Sequence, residues 1–222
     1  MQQGLIIFDS DGVLVDSEVI SNRVLVEMLA SHGLRVSVEE AVQLFAGRPM
    51  SNIVAKAEEL AGKTLPLDFG DSFYATRAEA FQRGALKAIA GVEQAIQQLQ
   101  PHFAMCVASS GKLVKSQQTL GLTGLARYFD GRIFSGYEVA RGKPFPDLFL
   151  YAAQRMGYGA EACTVVEDSV PGVQAGVAAG MRVLAYAGTA GTEALEAVGG
   201  EAFSEMRQLP GLATTRRPVA RG

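Results

Sequence analysis

The sequence predicts an α/β fold: a parallel sheet covered by helices on both faces, with a helical block inserted after its first strand. Three observations predict it. The chain opens on a short apolar run, Leu5-Ile6-Ile7-Phe8, which reads as a buried strand. No strand pattern interrupts residues 17–85, where apolar residues recur at helical spacing. From Gly91 onward, strand-like and helix-like segments alternate.

After Asp16-Ser17, the residues Val19, Ile20, Val24, Leu25, Met28 and Leu29 mark one helix, which ends near His32-Gly33 with Gly as terminator. Further helices are predicted over 38–46, 51–61 and 68–84. Beyond Gly91 come a helix at Val92–Leu99, a strand at Phe103–Ala108 and a helix at Leu113–Leu120. A strand at Arg132–Phe134 and a helix at Asp147–Met156 follow. The last predicted elements are a strand at Cys163–Val166, a helix at Val170–Ala179 and a strand at Val183–Tyr186. The expected organisation is therefore 1–16 with 86–213 as a sheet-bearing core, 17–85 as a helical insertion, and 214–222 as an aperiodic, disordered tail.

With 222 residues, 48% of them hydrophobic, the chain has material for one sizeable core plus a modest insertion. Charged residues make up 19% and the net charge is −3, so there is no basic footprint for nucleic acid. A small anionic substrate would need local positive groups or a metal. No apolar run reaches the length of a membrane span, and the N-terminus lacks the features of a signal peptide. Cys106 and Cys163 each lie in an apolar, strand-like run and are expected to be buried, reduced thiols. A cytoplasmic location fits that usage.

The chemistry gathers at strand ends. The first strand runs into Asp9-Ser10-Asp11-Gly12. In extended backbone, residues two apart point to the same side, and Gly12 lets the chain turn away sharply. Paired carboxylates there suit a divalent cation or a nucleophile with an acid/base, although a plain turn would use the same residues. The strand at Phe103–Ala108 ends in Ser109-Ser110-Gly111-Lys112, which reads as an anion site at a helix start or as ordinary N-capping. Arg141-Gly142-Lys143-Pro144 presents a lysine on a loop stiffened by Pro144 and Pro146. Cys163–Val166 ends in Glu167-Asp168-Ser169, two adjacent acids that repel unless a cation lies between them or one is protonated. Taken together, these segments suit Mg²⁺ held by oxygen ligands beside a phosphoryl group.

Asp9-Ser10-Asp11-Gly12, Ser109-Ser110, Lys143-Pro144 and Glu167-Asp168 stand in the order of the four motifs of the haloacid dehalogenase superfamily, which the chain resembles over about 1–210. It is similar to the branch that holds β-phosphoglucomutase, phosphoglycolate phosphatase and 6-phosphogluconate phosphatase. The resemblance implies a Rossmann-like core with an inserted helical cap of the C1 type. It implies Asp9 as nucleophile, forming an aspartyl-phosphate, Asp11 as general acid/base, and Lys143 as a shield for the Asp9 charge. Ser109 and Lys143 would hold phosphoryl oxygens, with Ser110 and Lys112 close by. Mg²⁺ is the implied cofactor, held by Asp9, Asp11 through its backbone carbonyl, and Asp168, with Glu167 as ligand or outer support.

The same resemblance bears on substrate. Mutases of the branch carry a His where this chain has Ser21, which favours hydrolysis. A phosphomutase and a non-catalytic phosphoreceiver are the alternatives, and the receiver has no use for Asp11. Gly47-Arg48-Pro49-Met50-Ser51 matches the position of the cap's specificity loop. There Arg48 would bind a second anionic group through its planar fork, or stand as an exposed arginine at a helix start. Ser21 and Asn22 are weaker candidates on the first cap helix. Phe134–Glu138 resembles the corresponding piece of 6-phosphogluconate phosphatase-like proteins. The expectation is a Mg²⁺-dependent phosphatase acting on a small phosphorylated sugar or sugar acid. It would be a monomer or weak dimer with no nucleic-acid or membrane partner.

Overall fold

The computed structural model describes residues 3–45, 48, 50–188 and 191–215. Two compact units emerge: Met1–Val15 with Lys87–Gly222, and Asp16–Leu86.

In the first unit, six strands among the described residues form one all-parallel sheet. They are β1 (Leu5–Phe8), β2 (Ala104–Ser109), β3 (Ile133–Ser135), β4 (Cys163–Glu167), β5 (Arg182–Tyr186) and β6 (Glu201–Phe203), in the order β3-β2-β1-β4-β5-β6. Every residue of β1 and β2 is buried, the near-continuous apolar run that a strand covered on both faces requires. Alternate residues point to opposite faces. Leu5, Ile7, Cys106, Ala108, Val165 and Val183 pack in one cluster with Leu148, Phe149, Ala152, Val173 and Ala175. Ile6, Phe8, Met105 and Val107 are as deeply buried on the other face, where Phe8 meets Phe129 edge-on at 5.8 Å. Removing a buried ring of that kind typically costs about 3–5 kcal/mol.

The helices of this unit are α5 (Val92–Leu99), α6 (Leu113–Leu122), α7 (Asp147–Met156), α8 (Val170–Ala178), α9 (Thr192–Glu196) and α10 (Leu209–Thr214). The sequence patterns did not reveal β6, α9 or α10. β6 is a three-residue edge strand, held to β5 by Arg182, whose Nη2 donates to Glu201 Oε2 at 2.6 Å. The same guanidinium donates to the carbonyls of Leu212 and Thr215, both at 2.9 Å. Thr214 therefore closes a helix rather than opening a tail, and the rest of the expected tail, residues 216–222, lies outside the described residues. Cys106 and Cys163 are buried and free.

The second unit holds α1 (Glu18–Ser31), α2 (Val38–Phe45), α3 (Met50–Ala61) and α4 (Phe69–Ala80). A reciprocal cap opens α2: Glu40 N–H donates to Ser37 Oγ at 3.1 Å, and Ser37 N–H to Glu40 Oε2 at 2.7 Å. Leu25, Leu29, Phe45, Ile53, Ala57, Phe69 and Phe73 are buried. The helix expected over 68–84 is not uniform, because Phe81–Ala85 winds as a π-helical turn. His32 caps α1, with Nδ1 2.9 Å from the Met28 carbonyl and its ring against Phe69. Among the described residues no helix is long and apolar enough to cross a membrane.

Candidate active site

β1 lies between β2 and β4, where the strand order reverses. Open parallel sheets bind ligands outside the carboxyl ends of their strands at such a reversal. Asp9 leaves β1 there, and its N–H still donates to the Val166 carbonyl of β4 at 2.9 Å, so its backbone is held by the sheet. The chain then turns tightly: Gly12 N–H donates to the Val15 carbonyl at 2.9 Å, and Leu14 and Val15 N–H donate to the Ser10 carbonyl, both at 3.0 Å. Gly12 sits at φ +80°, and a Cβ on it would overlap the Asp168 carboxylate. The turn from β1 and the end of β4 thus abut through a position that only glycine suits.

Lys143 joins three strand ends. Its Nζ donates to Asp9 Oδ1 at 2.5 Å, to Glu167 Oε1 at 2.7 Å and to the Ala108 carbonyl at 3.3 Å, with its side chain 6% exposed. The ammonium also lies 4.8 Å from the centre of the Phe149 ring. Burial pushes the Asp9 carboxyl up to about 7; Lys143 pulls it back, and Glu167 and Asp11 add to the rise. Burial also opposes the charge on Lys143, but Asp9 and Glu167 outweigh it and raise its pKa above the ordinary lysine value.

Glu167 has both oxygens engaged. Oε1 accepts from Lys143, while Oε2 accepts from Asp168 N–H at 2.8 Å, Ser169 N–H at 2.7 Å and Ser169 Oγ at 2.9 Å. Ser169 in turn caps α8, its Oγ accepting from Gly172 N–H at 3.2 Å. A Cβ on Gly172 would overlap the Glu167 carboxyl, so the helix start is hollowed to admit it.

Ser109 is buried at the end of β2, and its Oγ accepts from Gly111 N–H at 3.1 Å, which leaves its O–H to donate. Ser110 is exposed beside it. Lys112 is exposed at the N-cap position of α6 and is not the lysine of that segment that meets an acid. That lysine is Lys115, whose Nζ pairs with Asp11 Oδ2. Sequence reasoning missed it; a lysine in the first turn of a helix, against the macrodipole, was the available signal. Ser135 was missed too: its Oγ donates to the Gly111 carbonyl at 2.7 Å and ties the end of β3 to the Ser109–Lys112 turn.

Ser21 and Arg48 belong to the helical unit. Ser21 is half-buried, its Oγ donating to the Ser17 carbonyl at 2.7 Å. Asn22 beside it is also half-buried. Arg48 is exposed, its N–H donating to the Phe45 carbonyl at 3.1 Å; Gly47 and Pro49 lie outside the described residues. Among the described residues no three His, Cys, Asp or Glu side chains converge as a ready metal shell.

Residues 6–186 match the family of haloacid dehalogenase-like hydrolases. The chain is 33% identical over 207 residues to the 6-phosphogluconate phosphatase of Escherichia coli (strain K12), covering 93% of each. Its fold is similar to a conserved haloacid dehalogenase-like protein of Agrobacterium tumefaciens, with 35% identity and a TM-score of 0.83 over 95% of this chain and 97% of the other. A haloacid dehalogenase family hydrolase of Deinococcus radiodurans, solved with bound phosphate and sodium, shares 28% identity at a TM-score of 0.80, over 96% and 98% of the two chains. With four motif segments in family order and a match across most of its length, the chain belongs to the haloacid dehalogenase-like hydrolases and is an enzyme of their phosphatase kind.

Proposed function

We propose that the enzyme is a Mg²⁺-dependent phosphatase that releases phosphate from a small phosphorylated sugar or sugar acid through covalent chemistry on Asp9. The observation that carries this reading is Lys143, buried and shared between Asp9 at 2.5 Å and Glu167 at 2.7 Å. An anionic nucleophile meets a phosphoryl anion only where a fixed cation offsets their repulsion. Lys143 supplies that charge.

In the first half of the reaction an Asp9 carboxylate oxygen bonds to phosphorus and the ester P–O bond breaks. Asp11 gives its proton to the leaving oxygen. In the second half a water oxygen bonds to phosphorus and the Asp9–phosphorus link breaks. The water's proton goes to Asp11, and inorganic phosphate leaves. The Ser109 O–H donates to a phosphoryl oxygen, with Ser110 and Lys112 flanking it.

The donors that would hold Mg²⁺ are the carboxylates of Asp9 and Asp168 and the backbone carbonyl of Asp11, an all-oxygen set suited to a hard cation. Lys143 meets Asp9 and Glu167, Lys115 meets Asp11, and Asp168 lies against Gly12; counted formally, these four carboxylates and two lysines leave an excess of negative charge that a divalent cation would offset. Once bound, it supplies further charge neutralisation at the phosphoryl oxygens. The engaged oxygens of Glu167 support a role in holding Lys143 and the Asp168–Ser169 turn rather than in ligation.

The likeness to 6-phosphogluconate phosphatase supports a sugar or sugar-acid phosphate, and Arg48 and Ser21 are the proposed selectors in the helical unit. The test is phosphate release from a panel of sugar phosphates that includes 6-phosphogluconate. Release requires Mg²⁺, stops with EDTA, resumes on re-addition and is lost in Asp9→Asn. Near-normal turnover by Asp9→Asn overturns the reading.

A further inference from the structure

Lys115 Nζ pairs with Asp11 Oδ2 across 104 residues of sequence. Both local effects oppose a lysine in that place. It is the third residue of α6, where the helix dipole presents its positive end, and its side chain is only 16% exposed. The Asp11 carboxylate offsets both. The backbone of Asp11 is already fixed by the turn that Gly12 and Val15 close. What remains adjustable is the direction of its side chain, and Lys115 is a contact that bears on it.

Resting on the reading above, in which Asp11 trades protons with leaving group and water, we propose that Lys115 is a positioning residue for Asp11. It serves the second half-reaction, the hydrolysis of the phosphorylated Asp9. There the reacting water is free, unlike the leaving oxygen of a bound substrate, so the direction of the Asp11 side chain, which Lys115 contacts, decides whether that water is aimed at phosphorus. As water oxygen bonds to phosphorus, the proton passes to Asp11, the bond from Asp9 to phosphorus breaks, and the Asp9 carboxylate and inorganic phosphate are regenerated. Lys112, three residues earlier and exposed, has no such role.

The experiment compares Lys115→Met and Lys115→Arg with the wild type on p-nitrophenyl phosphate, with acid-quench trapping of phosphoenzyme. kcat/KM reports departure of the leaving group, and kcat includes hydrolysis of the intermediate. Lys115→Met is expected to lower kcat by about 10-fold or more while kcat/KM falls less than about 3-fold, a fraction of the usual acid/base contribution. Phosphoenzyme builds up and a burst of p-nitrophenol precedes the steady state. Lys115→Arg restores most of the rate. Unchanged kcat overturns the proposal, as does a parallel fall in kcat and kcat/KM without phosphoenzyme, at an unchanged or a lowered melting temperature. Retained turnover by Asp9→Asn removes the underlying reading and the proposal with it. If Asp9→Asn is inactive and Lys115→Met behaves as wild type, the proposal alone fails.

Discussion

Lys143 and Glu167 form a buried ion pair, 2.7 Å from Nζ to Oε1, with side chains 6% and 1% exposed. Neither residue is held there for its own sake. Glu167 reaches past Lys143 to the Asp168–Ser169 turn, and Lys143 reaches past Glu167 to Asp9. The pair thus links the proposed nucleophile to the start of α8. Removing one partner of a buried pair strands the other charge, at a cost of about 3–5 kcal/mol. Glu167→Ala is expected to lose stability of that order in urea melts and to lose activity as well. A variant with wild-type stability would show that water replaces the carboxylate freely.

Gly172→Ala tests the same junction from the helix side. In an ordinary helix interior, alanine is favoured over glycine by roughly 0.5–1 kcal/mol. Here the added methyl would overlap the Glu167 carboxyl. The expected sign is therefore reversed: a lower denaturation midpoint together with reduced kcat. A gain in stability with unchanged kcat would mean that Glu167 shifts without consequence for Lys143.

The raised Asp9 carboxyl gives the metal-free protein a pH dependence of definite sign. Folded Asp9 keeps its proton up to about pH 7, whereas an ordinary aspartate carboxyl loses it near 3.8. Between those values the folded state binds more protons than the unfolded one. Its contribution to stability is full below about 3.8 and is lost as the pH rises through about 7. The melting temperature of metal-free protein should therefore receive a falling contribution from Asp9 between pH 5 and pH 8, roughly the span of its titration. Mg²⁺ binding near pH 6.5, a value within that span, should release a proton. Calorimetry in buffers of different ionisation heat measures this; identical heats in all buffers would mean that Asp9 is already ionised.

Arg48→Ala is expected to raise KM for an anionic sugar-acid phosphate and to leave p-nitrophenyl phosphate nearly unchanged. The second compound offers no second anion for a guanidinium fork. Loss of a desolvated charge pair reaches about 2–5 kcal/mol, and a solvent-exposed contact much less. Equal losses on both substrates would assign Arg48 to structure or to the transferring phosphoryl group.

The parallel sheet, the positions of Asp9, Ser109 and Glu167 at strand ends and that of Lys143 on the loop before α7 were legible because buried parallel strands are continuous apolar runs and the turns and loops after them carry polar residues. β6 was not legible, since a three-residue edge strand shows too little of any period. The π-helical turn at Phe81–Ala85 was read as plain helix because one altered turn barely disturbs helical spacing. Lys115 was passed over for Lys112, which stands beside the serines in sequence. Its partner lies 104 residues away, and only the folded sheet brings the two together. The need for glycine at position 172 was not legible either, because only in the folded protein does the Glu167 side chain fill the space where a Cβ would be.

Val15 and Ala88 form an antiparallel bridge, and Ile89 N–H donates to the Leu14 carbonyl at 3.0 Å. The two chain ends that lead into and out of Asp16–Leu86 are therefore stitched together within the sheet-bearing unit itself. That stitch makes the intervening segment an exchangeable cassette. A short turn could replace it without tearing the sheet, because loop closure depends only weakly on the length of chain enclosed. Selectivity elements carried on such a cassette can diversify by wholesale replacement, while the strand ends that bear Asp9, Ser109 and Glu167 keep their register.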